Sequence, residues 1–402
     1  MRPTRAVVHL NAIQHNLRRI RTQFSDPQSS MPLICAAVKA NAYGHGAASV
    51  AAAALANGAD MLGVAVPEEG IELREAGIAG QILLFSPFFP DEAGIIVQHD
   101  LVPMVFDEER IQAIAQAAEQ QNREAAVFLK TDTGMGRVGC DPRHVLGLAQ
   151  QIAGSRMVRL AGCATHFAAS DAADTGFAEQ QLTSFLAAAG NIRAHGISPG
   201  ILSAANSGAV ITMPRTAGLG MARPGIMMYG YYPSREVPRN LDLVPAMTFE
   251  SAVSFIKTVP KGTPISYGMT YRTRSNTRIA TIPVGYADGV FRMLSNRGRI
   301  WIRGRTYPIV GRICMDQLMI DIGTDSDVQL YDRAVLFGPP QPAPESGIQW
   351  PEQPPSAEEV ADLCGTIPYE ITCAVSSRIP RIFEDTPVCE PQISPLPSAP
   401  PA

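Results

Sequence analysis

Short apolar runs and amphipathic stretches alternate along the first part of the chain. The runs cover residues 33–38, 61–66, 81–86, 102–106, 125–130, 158–166, 200–205 and 218–222. Each is a near-continuous block of apolar residues bounded by polar or turn residues, the pattern of a strand buried on both faces. Between them, residues 68–76, 108–121, 144–152 and 177–194 have helical composition. Ahead of them, residues 11–24 carry Ile13, Leu17, Ile20 and Phe24 on one helical face. Strand–helix alternation predicts parallel strands with helical crossovers, and eight such runs over roughly 230 residues predict a closed (β/α)8 barrel.

Near Leu243 the pattern changes. Residues 247–259, 277–283, 299–307, 308–312, 318–322 and 333–337 read as strands, with turn signals at Lys261-Gly262, Asn296-Arg297-Gly298 and Arg303-Gly304. The expected organisation is an α/β chain: a barrel over 11–240 and a C-terminal mainly-β domain over 245–384. Residues 1–10 would join that second domain through a strand at 7–10. The Pro-rich segment 339–356 is expected to be a surface loop, ending at Ser356-Ala357-Glu358-Glu359, a capping-box pattern. The Pro-rich tail, 385–402, has no periodicity and is expected to be disordered.

Composition narrows the class. The 402 residues are 46% hydrophobic and 17% charged, enough for a large core, and the net charge is −4. No Lys/Arg run suggests a nucleic-acid footprint, and no apolar stretch is long enough to span a bilayer. The start, MRPTRAVVHLNAIQHNL, lacks the apolar block of a signal peptide. Seven cysteines show neither CxxC nor metal-ligand spacing. Cys35, Cys163 and Cys314 sit in apolar settings and are expected to be buried thiols, which fits a cytoplasmic location.

The chemistry centres on AVKANAYGHG, residues 37–46. Lys39 stands where a buried run gives out, and desolvation there favours a neutral amine that can attack an aldehyde and hold it as a Schiff base. A lone lysine in that position is more commonly a snorkelling side chain. Its company changes the balance, because the carboxyl ends of barrel strands share one mouth. Reading those ends in order gives Lys39, then Lys130 with Asp132 and Arg137, then His166, then Asn206-Ser207-Gly208, then Arg223-Pro224-Gly225-Ile226. Asn206-Ser207-Gly208 ahead of a helix is a candidate anion cradle, and Gly225 and Tyr43 are candidate further donors. Taken singly, each has a bland account: an ordinary turn, a satisfied core histidine, or a solvated loop with a local ion pair in 130–137. In the second domain, Tyr267, Tyr286, Asp316 and Tyr369 stand out in turns and strand breaks.

With these residues in view, the chain resembles alanine racemase over residues 5–383. AVKANAYGHG, KTDTGMGRVG, ATHFAASD, ANSG, MARPGIMMYG, ISYGMTY, PVGYADG, GRICMDQ and PYEITCAVSSRIPR occur in the family's order. The resemblance implies a barrel plus a β domain, pyridoxal 5′-phosphate as cofactor, alanine as substrate, and a homodimer with shared active sites. It implies that the D-alanine made serves peptidoglycan synthesis. It gives Lys39 the cofactor aldehyde and the role of one catalytic base, and Tyr267, donated by the partner subunit, the role of the other. Arg223 would face the pyridine nitrogen. Tyr43, Asn206, Ser207, Gly225 and Ile226 would hold the phosphate, and His166 would support Tyr267. Arg137 and the Met315 backbone would bind the substrate carboxylate. Lys130, often carbamylated in the family, would orient Arg137. Tyr286 and Tyr369, with Asp316 beside them, would narrow the entrance. No metal is implied. Ser203 departs from the pattern, standing where some members have a histidine behind Arg223.

Two rival readings remain in view. The first is a decarboxylase or a broader-specificity amino-acid racemase on the same fold: related decarboxylases place an acid at the pyridine nitrogen, which Arg223 opposes, and a broad-specificity racemase would want a wider gate and usually an export signal, against Tyr286 and Tyr369. The second is a cofactor-carrier barrel, which has no second domain and so no Tyr267.

Overall fold

The computed structural model describes residues 2–24, 31–339 and 351–384. The chain divides into two compact units. One, within 13–42 and 47–244, carries a parallel barrel. The other, within 1–12, 43–46 and 245–384, is rich in antiparallel sheet.

Strand β1 (Arg5–His9) starts the chain in the sheet-rich unit, and helix α1 (Leu10–Thr22) follows directly. The barrel strands are β2 (Leu33–Ala37), β3 (Met61–Val64), β4 (Gln81–Leu84), β5 (Leu101–Val105), β6 (Ala125–Lys130), β7 (Val158–Ala164), β8 (Ile201–Ser203) and β9 (Met221–Ala222). They run in the order β8-β7-β6-β5-β4-β3-β2-β9, with every neighbouring pair parallel. A bridge from Leu202 to Gly220 joins the two ends and closes the ring. Several strands stop short of the apolar runs that predict them. The run 200–205 yields only three strand residues, yet Ala204 and Ala205 beyond it are fully buried. Apolar composition tracks burial, and here burial continues past the last strand residue, Ser203.

The crossovers are α2 (Ala47–Ala56), α3 (Pro67–Glu75), α4 (Ala93–Gln98), α5 (Glu108–Gln120), α6 (Val145–Gly154), α7 (Gly176–Ala194) and α8 (Ser207–Thr212). Helix α4 has no counterpart in the sequence reading, because six residues are too few to show a helical period. Asp107 starts α5 by accepting the Arg110 N–H at 2.9 Å. Buried Asn16 anchors α1, donating to the carbonyls of Met228 and Val244 and accepting from Val244 N–H.

The barrel interior is filled by Cys35, Met61, Leu83, Val102, Met104, Phe128, Ala161, Ala164 and Met221. Side chains along a strand alternate between faces, so a residue two or four positions past an inward one faces inward again. Cys35 therefore leads to Lys39, Phe128 to Lys130 and Met221 to Arg223. Strand β7 obeys the rule only after a correction. Its register to β6 shifts where Val127 faces Leu160 but Phe128 faces Gly162. That bulge puts both Ala161 and Ala164 inside and sends the line onward to His166.

In the sheet-rich unit the strands are β10 (Met247–Ala252), β11 (Phe255–Val259), β12 (Pro264–Ile265), β13 (Tyr271–Arg272), β14 (Thr277–Ile282), β15 (Arg299–Ile302), β16 (Arg305–Pro308), β17 (Leu318–Asp321), β18 (Arg333–Phe337) and β19 (Arg381–Glu384). A six-stranded sheet has the order β16-β15-β18-β10-β1-β19, with β1 antiparallel to β10 and parallel to β19. A three-stranded sheet, β11-β14-β17, and the hairpin β12-β13 complete it. Three expectations are corrected here. The run 247–259 is two strands in different sheets. The run 299–307 is a hairpin turning at Arg303-Gly304, both at positive φ. Residues 308–312 do not form a strand of their own: Pro308 ends β16, Ile309 alone bridges to Ile320, and Gly311 adopts φ +77°. Cys35 and Cys163 are buried as expected, but Cys314 is only half-buried, its thiol 3.5 Å from Ser266 Oγ. Ser356 caps α9 (Ala357–Cys364) by accepting the Glu359 N–H at 3.0 Å, and α10 (Pro368–Cys373) follows. The tail 385–402, and residues 340–350 of the Pro-rich segment, lie outside the described residues.

Gly162 is a tight point of the barrel wall. A Cβ there would stand 2.4 Å from the ring of fully buried Phe128 and 2.4 Å from the Ile201 carbonyl oxygen. Neither neighbour can give, so Gly162→Ala is expected to cost about 1–3 kcal/mol, seen as a lower denaturant midpoint. An unchanged midpoint would mean that the strands part there without penalty.

Candidate active site

The end of β2 is held from several sides. Ala37 N–H donates to the Pro224 carbonyl at 3.1 Å, Val38 N–H to the Gly63 carbonyl at 2.8 Å, and the Tyr229 hydroxyl to the Ala37 carbonyl at 2.8 Å. Lys39 comes next, half-buried. Beyond it Ala40, Asn41, Ala42 and Tyr43 all adopt φ of 51–54°, a complete left-handed turn with no glycine in it. Such backbone costs roughly 1–2 kcal/mol per residue, so it persists only where surrounding bonds over-determine it. Ala42 N–H donates to the Val38 carbonyl at 2.8 Å, and the Asn41 side chain accepts the Ala47 N–H at 2.7 Å, capping α2. Glu69 accepts the Ala40 N–H at 2.6 Å.

Basic groups gather at the same end of the barrel. Lys130 is 7% exposed and Arg223 is 6% exposed. Burial pulls Arg223 down to about 10, where it is still charged at neutral pH. Its guanidinium donates to Ser203 Oγ, to the Thr165 carbonyl at 2.6 Å and more distantly to the Ala204 carbonyl, all of them neutral. Ser203 in turn donates to the Met221 carbonyl at 2.8 Å. Lys130 is held well below the ordinary lysine value, first by burial and then by the charges of Arg223 and Arg137. His166 is likewise held well below the ordinary histidine value, by burial and by Arg223, Lys130, Arg137 and Lys39. These five predicted residues thus share one field. Asp132 does not neutralise it through the local ion pair of the bland account. Its carboxylate accepts the loop's own N–H groups, from Gly134 at 2.9 Å and Gly136 at 3.1 Å. Burial alone would raise its pKa, but those bonds outweigh it and leave Asp132 below the usual carboxylate range.

Beside the cations lies the predicted cradle. Buried Ser207 accepts the Gly225 N–H at 2.9 Å and keeps its own hydroxyl proton to donate. The Asn206 side-chain oxygen is already committed, to the Ala209 N–H at 3.0 Å and the Ser170 hydroxyl at 2.7 Å. Asn206 therefore serves the cradle as the cap of α8. Ile226 is fully buried beyond Gly225.

The other predicted residues belong to the sheet-rich unit. Tyr267 sits in the tight turn between β12 and β13 and is 72% exposed. Ser266 before it, at φ 63°, donates from its hydroxyl to the Arg312 carbonyl. The Tyr286 turn is bonded to the same segment, with Tyr286 N–H on the Cys314 carbonyl and Ala287 N–H on the Met315 carbonyl, both at 3.0 Å. Arg378 spans Asp316 and fully buried Asp288, at 2.6 Å each, and Arg2 also binds Asp288. The Tyr43 and Tyr369 rings pack at a 45° tilt with centres 5.9 Å apart. Tyr267, Tyr286, Met315 and Asp316 are thus assembled around one stretch, 312–316. Sequence reasoning missed Thr165, Glu69 and Arg378. Only Glu69 carried a signal, as an acid in the first turn of a helix opened by Pro67.

Comparison with known proteins adds the family. The model described as "Alanine racemase, N-terminal domain" matches residues 8–233, and "Alanine racemase, C-terminal domain" matches residues 246–383. The alanine racemase of Treponema denticola is 41% identical over 389 residues, covering 96% of this chain and 99% of that protein. The solved alanine racemase of Clostridium difficile superposes with a TM-score of 0.87 at 34% identity, over 96% of each chain. The alanine racemase of Bacillus anthracis, solved with bound L-Ala-P, gives 0.85 at 35% identity, over 96% of each chain.

The His166 environment has a measurable consequence. An unfolded chain takes up a proton there near pH 6.5, while the native state declines it, so stability falls as pH drops below about 6.5. His166→Asn is expected to flatten the pH dependence of the unfolding free energy in that window, by up to about 1.4 kcal/mol per pH unit. Denaturant titrations at a series of pH values measure it, and identical slopes would contradict the assignment.

Proposed function

This chain belongs to the alanine racemase family of isomerases, and on that premise we propose that it interconverts L- and D-alanine using pyridoxal 5′-phosphate and two bases, Lys39 of one subunit and Tyr267 of a second copy. The observation that carries the reading is the crowd of basic side chains around Lys39, with neutral partners for the most buried of them.

The residues present fit the cofactor. Buried cations held by neutral acceptors favour an anion, and Ser207, the Gly225–Ile226 backbone and Asn206 at the start of α8 suit its phosphate. The Tyr43 phenol is assigned to the same phosphate. Bound there, pyridoxal phosphate supplies an aldehyde for an amine and a conjugated ring that draws electron density from Cα.

Lys39 would hold the cofactor through that aldehyde, and its Nζ would take or return the Cα proton on one face of the substrate. Tyr267 Oη does the same on the other face, and inversion needs both. Arg223 would face the pyridine nitrogen, and because a guanidinium keeps its own proton it would leave that nitrogen unprotonated, favouring return of the proton at Cα over side reactions. Arg137 and the Met315 N–H hold the substrate carboxylate. Lys130, a buried amine that burial and the neighbouring cations bias toward its neutral form, is suited to take up carbon dioxide as a carbamate, an anion that steadies Arg137. His166 supports the Tyr267 phenol. Tyr286 and Tyr369 limit the substrate to a small side chain, and Asp316 holds Arg378 beside them.

The strongly exposed Tyr267 and Met269 support a role in a neighbouring copy, hence a homodimer with shared sites. Among the described residues no helix is long and apolar enough to cross a membrane. We assign the reaction to the cytoplasm and its D-alanine to peptidoglycan synthesis on family membership.

Tyr267→Phe is expected to bind pyridoxal phosphate with the wild-type visible spectrum while kcat for racemisation falls about 10²–10⁴-fold. In D2O the variant should still exchange the Cα hydrogen of one enantiomer without inverting it. Racemisation near the wild-type rate, or loss of exchange for both enantiomers, would reject the two-base assignment.

A further inference from the structure

Helix α3 begins with Pro67-Glu68-Glu69, and an acid in this position ordinarily turns back to the N–H groups at its own helix start. One oxygen of Glu69 does so, accepting from Ala65 N–H at 2.7 Å and Val66 N–H at 3.4 Å. The other reaches away from the helix to the Ala40 N–H at 2.6 Å. Ala40 is the first residue of the left-handed turn, and its N–H belongs to the peptide group that carries the Lys39 carbonyl. Fixing that peptide plane fixes the backbone torsion of Lys39 and so the direction in which its side chain leaves the chain. The carboxylate also ties the ends of β2 and β3 together, because Ala65 follows β3 directly.

We propose that Glu69 is a positioning residue that aims Lys39 by anchoring the strained turn behind it. The inference rests on the reading of Lys39 as the cofactor lysine. A carboxylate suits the task because it accepts on both sides at once. A glutamine has a single acceptor oxygen, so it can serve the helix start or Ala40 but not both.

The experiment compares Glu69→Gln and Glu69→Ala with the wild-type chain, and with Pro67→Ala, which loosens the same helix start without touching Ala40. Amide hydrogen exchange of cofactor-free protein reports the peptide spanning residues 38–46. Borohydride trapping of pyridoxal phosphate, with the modified lysine mapped by mass, reports presentation of the amine. Glu69→Ala is expected to speed exchange at residues 40–43 about tenfold and to slow trapping at Lys39 about tenfold, with Glu69→Gln between it and wild type. Pro67→Ala should lower Tm and leave the trapping rate unchanged. Trapping at wild-type rate in both Glu69 variants, or equal slowing by Pro67→Ala, would overturn the role of Glu69. Trapping of the wild-type chain at a lysine other than Lys39 would instead reject the cofactor reading itself and this inference with it. Should Glu69→Ala fail to fold, Glu69→Gln carries the comparison alone.

Discussion

Like charges confined at one end of a barrel are the constraint on which the rest depends. Lys130 and Arg223 are buried, Arg137 and Lys39 bear on the same space, and His166 stands among them. Repulsion and desolvation act together, and they bias two of the five groups, Lys130 and His166, toward giving up their protons. Arg223 cannot, so it is held by a serine hydroxyl and carbonyl oxygens instead. A fold selected for stability alone would fill that space with apolar residues or leave no buried charge without a counter-charge. The nearby one, Asp132, turns to its own loop. The arrangement makes sense as a receptacle that an anion completes, which is why a phosphate-bearing cofactor and a carboxylate substrate suit it.

Backbone strain is the second local expense, and it falls beside the residue that matters most. Four successive left-handed residues follow Lys39, none of them glycine. The strain is offset by bonds converging from α2, α3 and the strand end. A lysine on an ordinary turn would sample many directions. Over-determined backbone reduces that freedom before any ligand arrives, so less ordering remains to be done on binding. In the sheet-rich unit the emphasis is reversed. Tyr267 is presented outward from a tight turn, and the segment 312–316 gathers the Tyr286 turn and Met315 through backbone bonds.

Much of this was legible in the sequence for a simple reason. Side chains alternate along a strand, so an inward core residue announces that the residue two or four places on will face the mouth. Cys35 and Lys39, Phe128 and Lys130, and Met221 and Arg223 obey that count. The bulge in β7 was not legible, since Ala161 and Ala164 give no compositional hint of a register shift. The left-handed turn was hidden because Ala-Asn-Ala-Tyr reads as helical. The reach of Glu69 was hidden because a contact across 29 residues leaves no local trace. The hairpin at Arg303-Gly304 carried its turn signal openly, and the apolar content around it concealed the break.

The central claim, that each site combines Lys39 from one chain with Tyr267 from another, is tested most directly by mixing two inactive variants. Lys39→Ala and Tyr267→Phe chains would be unfolded or dissociated together, reassembled in equal amounts with pyridoxal phosphate, and assayed for racemisation of alanine. Shared sites predict that mixed dimers regain one intact site in two, so activity returns to about a quarter of the wild-type level. Activity no higher than that of either variant alone, in a sample where mixed dimers are shown to form, would contradict the account.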